Sequence, residues 1–380
     1  MKSAKINISI GILLFINFIF CYKYTSRYTS YSLYLSLALL FFQLLAYCYG
    51  DRILISHKFK NIICYGLISF ILGLVVISHF KIPLESLNVD RWSVISSFLT
   101  ELYAGNYPYY ALSHMGNYPG PMPIYFLIAA PFQFLGELSV LSCLGYCTIL
   151  AFFIRKKVST TELKFLIVHL FTAMYLIWEI TTRSNIFTFT MLVLIVLHNV
   201  LDLKNKTKTG FYILAVLVGL LLSTRSVYIL PYIVFFLSAL INREITFKKL
   251  FLFLMVSVIA FISTFLPLIY FYGDDFFNMN PFIIQSSFLV PTFYTFIFIL
   301  ISIGCTFLAK TKLDNYFYSG LSLFTAILIY FFYHLINFGY ETAFINSKID
   351  ISYFIFCIPF LIIYLVEQKP EVKTVHKAEN

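Results

Sequence analysis

The residues able to do chemistry are few and lie close together. Asp90 stands beside Arg91 and Trp92, and a segment dense in glycine, proline and tyrosine follows: Gly105-Asn106-Tyr107-Pro108-Tyr109-Tyr110, then His114 and Gly116-Asn117-Tyr118-Pro119-Gly120-Pro121. Glycine and proline fix turns and resist regular structure, so this stretch reads as a long ordered loop, the usual carrier of binding or catalytic groups. Two arginines stand further along, Arg183 in Thr-Thr-Arg-Ser-Asn185 and Arg225 in Ser-Thr-Arg-Ser-Val. An arginine held where other cations are sparse calls for an acidic side chain or an anionic ligand.

The elements around them must lie in lipid. Of 380 residues, 60% are hydrophobic, 20% aromatic and only 12% charged. A soluble surface needs about a quarter charged residues. Apolar runs of helical length recur along the chain, the signature of an all-α polytopic membrane protein. The net charge of +10 is spread over short loops rather than one face, which argues for positive-inside bias and against nucleic acid as a partner. The seven cysteines accompany apolar runs without the histidine or acid spacing of a metal site, and read as packing residues.

The apolar runs are expected at about 6–22, 31–50, 62–80, 138–154, 165–181, 186–200, 210–223, 226–241, 250–272, 291–309, 316–337 and 350–366, about 12 spans in one domain, 1–366. A polar tail, 367–380, follows. The segment Met122–Gly136 is apolar but short, about 22 Å at helical rise, and Pro131 interrupts it. If it lies along the outer interface, 20 of the 27 lysines and arginines fall on the inner side, and Lys23, Arg27, Lys81, Arg91, Arg183, Arg225 and Lys348 fall outside. If it crosses, only 8 of the 27 fall inside. The charge rule therefore favours an interfacial segment and both termini in the cytoplasm. The loop of about 81–136 then faces outward together with Arg183, Asn185, Arg225, Asp274, Asp275 and Glu341.

Each singled-out residue also has a purely structural reading. Asp90 would pair with Arg91 or cap a helix with Ser93. Arg225 would reach to the interface as a snorkelling side chain. Arg183, four residues after Glu179, would form a helical i,i+4 ion pair. His114 would hydrogen-bond within its loop, and Trp92 and the tyrosines would form an interfacial belt.

The order of the pieces carries a resemblance. A span leads to an outer loop opening with an acid, then Gly-Asn-Tyr-Pro-Tyr (105–109). Tyr-Pro-Gly-Pro-Met-Pro-Ile-Tyr (118–125) and an amphipathic run ending in Phe-Leu-Gly follow. Thr-Arg-Ser-Asn (182–185) and Gly-Leu-Leu-Leu-Ser-Thr-Arg-Ser-Val-Tyr-Ile-Leu-Pro (219–231) continue it. Over residues of about 65 to 240 this resembles the GT-C superfamily of polyprenyl-phosphate-sugar-dependent glycosyltransferases, the mannosyltransferases above all. The resemblance implies Asp90 as general base, Met122–Gly136 as a juxtamembrane helix, and Arg225, with Arg183, at the phosphate of a lipid-linked sugar donor. Arg91, Trp92, Tyr107, Tyr109, His114, Tyr118 and Asn185 are then expected around the substrates, with aromatic faces stacking on sugar rings. Many relatives carry a second acid near the first, whereas this chain has Asn88-Val89-Asp90, so no metal and no cofactor beyond the lipid-linked co-substrate are expected. A glycan or lipid would be the acceptor, and a bacterial plasma membrane the location. A polysaccharide polymerase or ligase, a transporter or flippase, and a non-catalytic partner subunit stand as alternatives.

Overall fold

The computed structural model describes residues 2–52, 56–156, 160–288, 290–346 and 349–368. Lys157, Lys348 and the tail from residue 369, which enter the charge argument above, lie outside the described residues. Within them the fold is helical throughout, with no strand. Four helices are long and apolar enough to cross a membrane: Ser3–Thr25, His57–Lys81, Phe247–Tyr272 and Lys312–Phe338. Two bent pairs raise the number to 6 if each counts as one span: Pro123–Phe134 with Ser139–Arg155, and Thr161–Phe171 with Met174–Thr181. Six further apolar helices, Ser32–Cys48, Ile186–Val200, Lys208–Leu222, Ser226–Ile241, Thr292–Leu308 and Ile351–Val366, match expected runs in position but have only 10–17 residues.

Local chemistry accounts for where the helices start and break. Ser56, Thr160, Thr207, Thr246 and Thr311 each begin a helix by accepting a backbone N–H bond in the first turn, and Thr311 forms a capping box with Asp314. The run expected as one helix over 165–181 is broken at Thr172–Ala173. Asn17 bridges the break, donating from Nδ2 to the Thr172 carbonyl (3.0 Å) and accepting the Met174 N–H (2.7 Å). A neighbouring helix thus satisfies the backbone groups that the break frees, as a low-dielectric interior requires.

The segment Pro123–Phe134 runs at 107° to Ser139–Arg155, so it does not continue the direction of the helix that follows. The ion pairs agree with that turn. Lys5 pairs with Asp314, Lys312 with Asp202 and Lys156 with Glu367, all residues that alternating helices assign to one end. Arg91 with Asp350, and Glu137 with His79 and Arg183, belong to the other. Lys5 and Lys23 stand 18 residues apart on one helix, about 27 Å along its axis. The first pairs with Asp314, while the second donates to the Ile349 carbonyl at 3.0 Å. Residues near 314 and near 349 are thereby fixed at opposite ends of the bundle.

The helices approach closely where side chains are small. Gly219 packs on the helix Phe247–Ser263 so tightly that an added Cβ would lie 2.1 Å from the Ser257 carbonyl oxygen. Ser257 Oγ in turn donates to the Ala215 carbonyl at 2.8 Å. Small residues and interhelical hydrogen bonds are the means of holding helices together in lipid.

Candidate functional site

Asp90 ends the approach to the helix Arg91–Tyr103 without capping it: no N–H of the first turn bonds its side chain. Instead its Oδ2 accepts two hydrogen bonds, from Ser113 Oγ (3.0 Å) and Asn117 Nδ2 (2.7 Å). Both donors come from one tight turn, closed by Gly116 N–H to the Ser113 carbonyl (2.9 Å) and Asn117 N–H to Ser113 Oγ (3.1 Å). Gly116 sits at φ 77°, a left-handed conformation that a side chain would resist. The glycine therefore has a specific task, to turn the chain so that Asn117 meets Asp90. Oδ1 of Asp90 accepts no bond among the described residues, and the half-buried carboxylate keeps one oxygen for another partner.

Arg91 is not the partner of Asp90. Its Nη2 forms a close ion pair with Asp350 and donates to Ser352 Oγ at 2.9 Å, and its guanidinium lies 5.5 Å from the Tyr353 ring centroid. Asp350 Oδ1 also accepts the Ser352 N–H at 2.9 Å, so the acid is tied to the turn that follows it. His114 is tied within its loop: Nε2 stands 3.0 Å from the Leu87 carbonyl oxygen and Nδ1 2.6 Å from Ser93 Oγ. With the proton on Nε2, Nδ1 accepts from the serine and neither nitrogen is free. Its ring stacks on Trp92 with centroids 5.3 Å apart.

Arg225 occupies an extended residue (φ −155°, ψ 137°) between the helix Lys208–Leu222 and the turn Ser226–Tyr228. Its guanidinium lies 5.1 Å from the Tyr125 ring centroid and 5.9 Å from that of Phe356. Among the described residues no acid pairs with it, and its buried Nε has no hydrogen-bond partner. Tyr125 bonds through its hydroxyl to Asn185 Oδ1, while Asn185 Nδ2 is buried and unpartnered. A cation and an amide donor, both with unused hydrogen-bonding capacity, thus flank one tyrosine.

Backbone bonds join this hairpin to the Asp90 loop. Met122 N–H donates to the Thr224 carbonyl and Ile124 N–H to the Ser223 carbonyl, each at 3.1 Å. Gln285 adds a strut, donating to the Gly120 carbonyl at 2.7 Å and pairing closely with Ser226 Oγ. Tyr353 lies within electrostatic reach of Asp90, Arg91, Asp350 and Arg225. The two segments that carry candidate chemistry, with Asp90 and Arg225 135 residues apart in the chain, are one assembly.

Three expectations do not hold at this assembly. Arg183 pairs with Glu137 rather than with Glu179. The helix Met174–Thr181 ends before it, and its φ of 55° removes the i,i+4 register. Glu179 instead accepts from Tyr146 Oη (2.7 Å), Ser184 Oγ and the Phe187 N–H. All three Arg183 nitrogens bond protein oxygens, those of Glu137, Thr181, Ser78 and Ile82, and the side chain is 2% exposed. It clamps the chain and is not free to hold an anion. Tyr107 and Tyr109 are buried, bonded to the Met279 and Pro121 carbonyls, and their rings pack on Tyr272 and on Phe98 with Phe126. Tyr118 alone of these tyrosines is exposed.

No family model, curated protein or solved structure matches the chain. The site therefore has to be read from its own geometry.

Several residues that build it gave little warning in the sequence. Tyr125 and Asn117 lie inside the glycine- and proline-rich stretch with nothing in their spacing to mark a role, and Ser113 carries no sequence signal. Asp350, Tyr353 and Phe356 open the last apolar run; an acid at the start of an apolar helix is the available signal for Asp350. Among the described residues no three histidine, cysteine, aspartate or glutamate side chains gather as a donor set for a metal ion. A cavity of about 220 Å³ lies beside the assembly, lined by Trp92, Ser96, Gln133, Glu137 and Arg183.

Proposed function

We propose that this chain is a membrane glycosyltransferase of the GT-C type, moving a sugar from a polyprenyl-phosphate donor to a hydroxyl of a glycan or lipid acceptor. The observation that carries the reading is the union of the Asp90 loop with the Arg225 hairpin. A carboxylate with one open oxygen and an arginine with no acidic partner, among the described residues, stand on segments bonded to each other. Those are the two groups that transfer from a phosphate-linked sugar needs.

The acceptor hydroxyl is a poor nucleophile, so Asp90 takes its proton as the oxygen attacks the anomeric carbon. The bond from that carbon to the phosphate oxygen breaks, and the polyprenyl phosphate leaves with the electron pair. Charge grows on the phosphate, and Arg225 stabilises it through charge-assisted hydrogen bonds. One displacement inverts the anomeric configuration, and a single essential carboxylate suffices. Asn185 Nδ2, beside Tyr125, is a second donor for the phosphate or the sugar. Trp92 and Tyr118 are the remaining aromatic candidates for sugar contact. The donor tail stays in lipid, which a bundle of twelve spans in a bacterial plasma membrane, both termini cytoplasmic, would surround.

The test is transfer by reconstituted protein from a panel of polyprenyl-phosphate sugars. Asp90→Asn keeps the shape of the group but cannot accept the proton, so turnover should fall by about 10²–10⁴-fold. No transfer by the parent from any donor, or parent-like transfer by Asp90→Asn, would reject the assignment. The topology has its own test. Cysteines placed at 118 and 204 in a background lacking native cysteines should label from outside and only after permeabilisation, respectively.

A further inference from the structure

A second cavity lies away from this site. It lies at the other end of the bundle, has a volume of about 310 Å³, and is lined by Asp202, Lys204, Arg243, Glu244, Lys312 and a floor that includes Phe236 and Leu250. The helices Ile186–Val200 and Ile229–Ile241 run into it, the same two whose opposite ends follow Asn185 and Arg225.

Two features mark it as more than a gap between helices. The first is charge. Asp202 is taken by Lys312, with Nζ to Oδ1 2.6 Å. Lys204 and Arg243 have no acidic partner among the described residues, although both face the cavity with Glu244 beside them. Lys249, from the helix packed alongside, adds a further cation, held by the Leu203 carbonyl at 3.1 Å. The second feature is backbone strain. Arg243 has φ 56° and closes the helix Ile229–Ile241, with its own N–H on the Leu240 carbonyl (3.1 Å) and the Glu244 N–H on the Ala239 carbonyl (2.8 Å). That is the bonding pattern in which glycine is the favoured residue, and an arginine there holds a left-handed backbone that its Cβ disfavours. A strained arginine at a glycine position, aimed into a cavity, is the kind of outlier that points to a ligand.

We infer that this cavity binds the phosphate-bearing headgroup of an anionic phospholipid from the leaflet at that end of the bundle. Arg243 and Lys204 hold the phosphate. Arg243 supplies a planar pair of donors and Lys204 a mobile charge. The apolar floor at Phe236 and Leu250 takes the glycerol and the first acyl carbons, as basic pockets between membrane helices do. The inference needs the membrane setting but not the sugar chemistry, so it stands or falls separately from the transferase reading.

The purified full-length protein in a neutral detergent is exposed to phosphatidylglycerol, to phosphatidylcholine, or to inorganic phosphate. Bound lipid is counted by native mass spectrometry and thermal stability is measured in parallel. Phosphatidylglycerol should be retained and should raise the melting temperature, while phosphatidylcholine and inorganic phosphate should do neither. The informative variant is Arg243→Gly, which relieves the backbone strain while removing the guanidinium. It should match or exceed the parent's stability without lipid, yet retain phosphatidylglycerol about tenfold less well. Lys204→Gln should lower retention as well, without the gain in stability. Undiminished retention by Arg243→Gly would overturn the inference, and so would protection by inorganic phosphate equal to that by the lipid.

Discussion

The guanidinium of Arg225 lies 5.1 Å from the centre of the Tyr125 ring, and the hydroxyl of that ring is bonded to Asn185. Three residues from three separated segments thus meet at one ring, and among the described residues the cation has no acid to neutralise it. An aromatic face stabilises such a charge only partly, by about 0.5–2 kcal/mol, which leaves the arginine's hydrogen-bonding capacity for a ligand.

Substituting Arg225 distinguishes an anion grip from a snorkelling charge. Arg225→Met removes a charge-assisted hydrogen bond, and turnover should drop about 10–150-fold. Arg225→Lys keeps the charge but not the planar fork, so it should fall between arginine and methionine. Because phosphate charge grows as the sugar leaves, kcat should suffer more than donor KM. Equal activity for all three residues would remove Arg225 from the site.

Arg91 and Asp350 call for a stability experiment rather than a kinetic one. Asp350→Ala leaves the largely buried Arg91 guanidinium without its acid; with Asp350 itself 34% exposed, the cost should fall below the ~3–5 kcal/mol of a fully buried pair, and replacing both partners by methionine should restore most of the loss. Denaturation of the detergent-solubilised variants measures it. If the double variant is no better than Asp350→Ala, the pair is not what fixes the Asp90 loop against the last helix.

Much of the assembly was legible in the sequence because its ingredients are unusual for so apolar a chain. Composition pointed to a fold of apolar helices, 4 to 6 of them long enough to cross a membrane, and the scarcity of charge made Asp90 and Arg225 conspicuous. Partners of those charges were harder to find. The proximity of Glu179 in sequence suggested an ion pair with Arg183, yet the partner is Glu137, 46 residues away in the chain. Local spacing predicts contacts only while a helix continues, and here the helix stops at Thr181. The tyrosines misled for a related reason. An aromatic in a proline-rich loop suits sugar stacking and core packing alike, and only the fold shows that Tyr109 is fully buried. The break at Thr172 left no trace in the sequence because the residue that repairs it, Asn17, belongs to another helix.

Glycine substitutions test the packing directly. Gly219→Ala would set a Cβ 2.1 Å from the Ser257 carbonyl oxygen, forcing apart the helices Lys208–Leu222 and Phe247–Ser263. A loss of about 1–3 kcal/mol is expected from overpacking. Gly73, within the helix His57–Lys81, has nothing within 4 Å of its would-be Cβ. Gly73→Ala should therefore be neutral or stabilising by up to about 1 kcal/mol. Similar melting temperatures for the two variants would refute the close approach at Gly219.

The clamp at Arg183 predicts how the protein responds to acid. Glu137 lies in the connection between Pro123–Phe134 and Ser139–Arg155, 3.2 Å from Arg183 Nε and 3.0 Å from His79 Nδ1. Burial pushes its carboxyl up, but hydrogen bonds from Ser139, the charge of Arg183 and the bond to His79 outweigh burial and leave it below its ordinary value of 4.5. A carboxylate depressed in the folded state contributes stability that is fully present above its unfolded pKa. That contribution is lost as pH falls through the folded value. Melting temperature measured from pH 7 downward should therefore hold until about the ordinary glutamate range and then decline. Glu137→Gln should lower the melting temperature at neutral pH, because it leaves Arg183 buried without its acid. It should also flatten the acid-side decline relative to the parent. An unchanged slope in Glu137→Gln would assign the acid response to other carboxylates and deny the clamp its role.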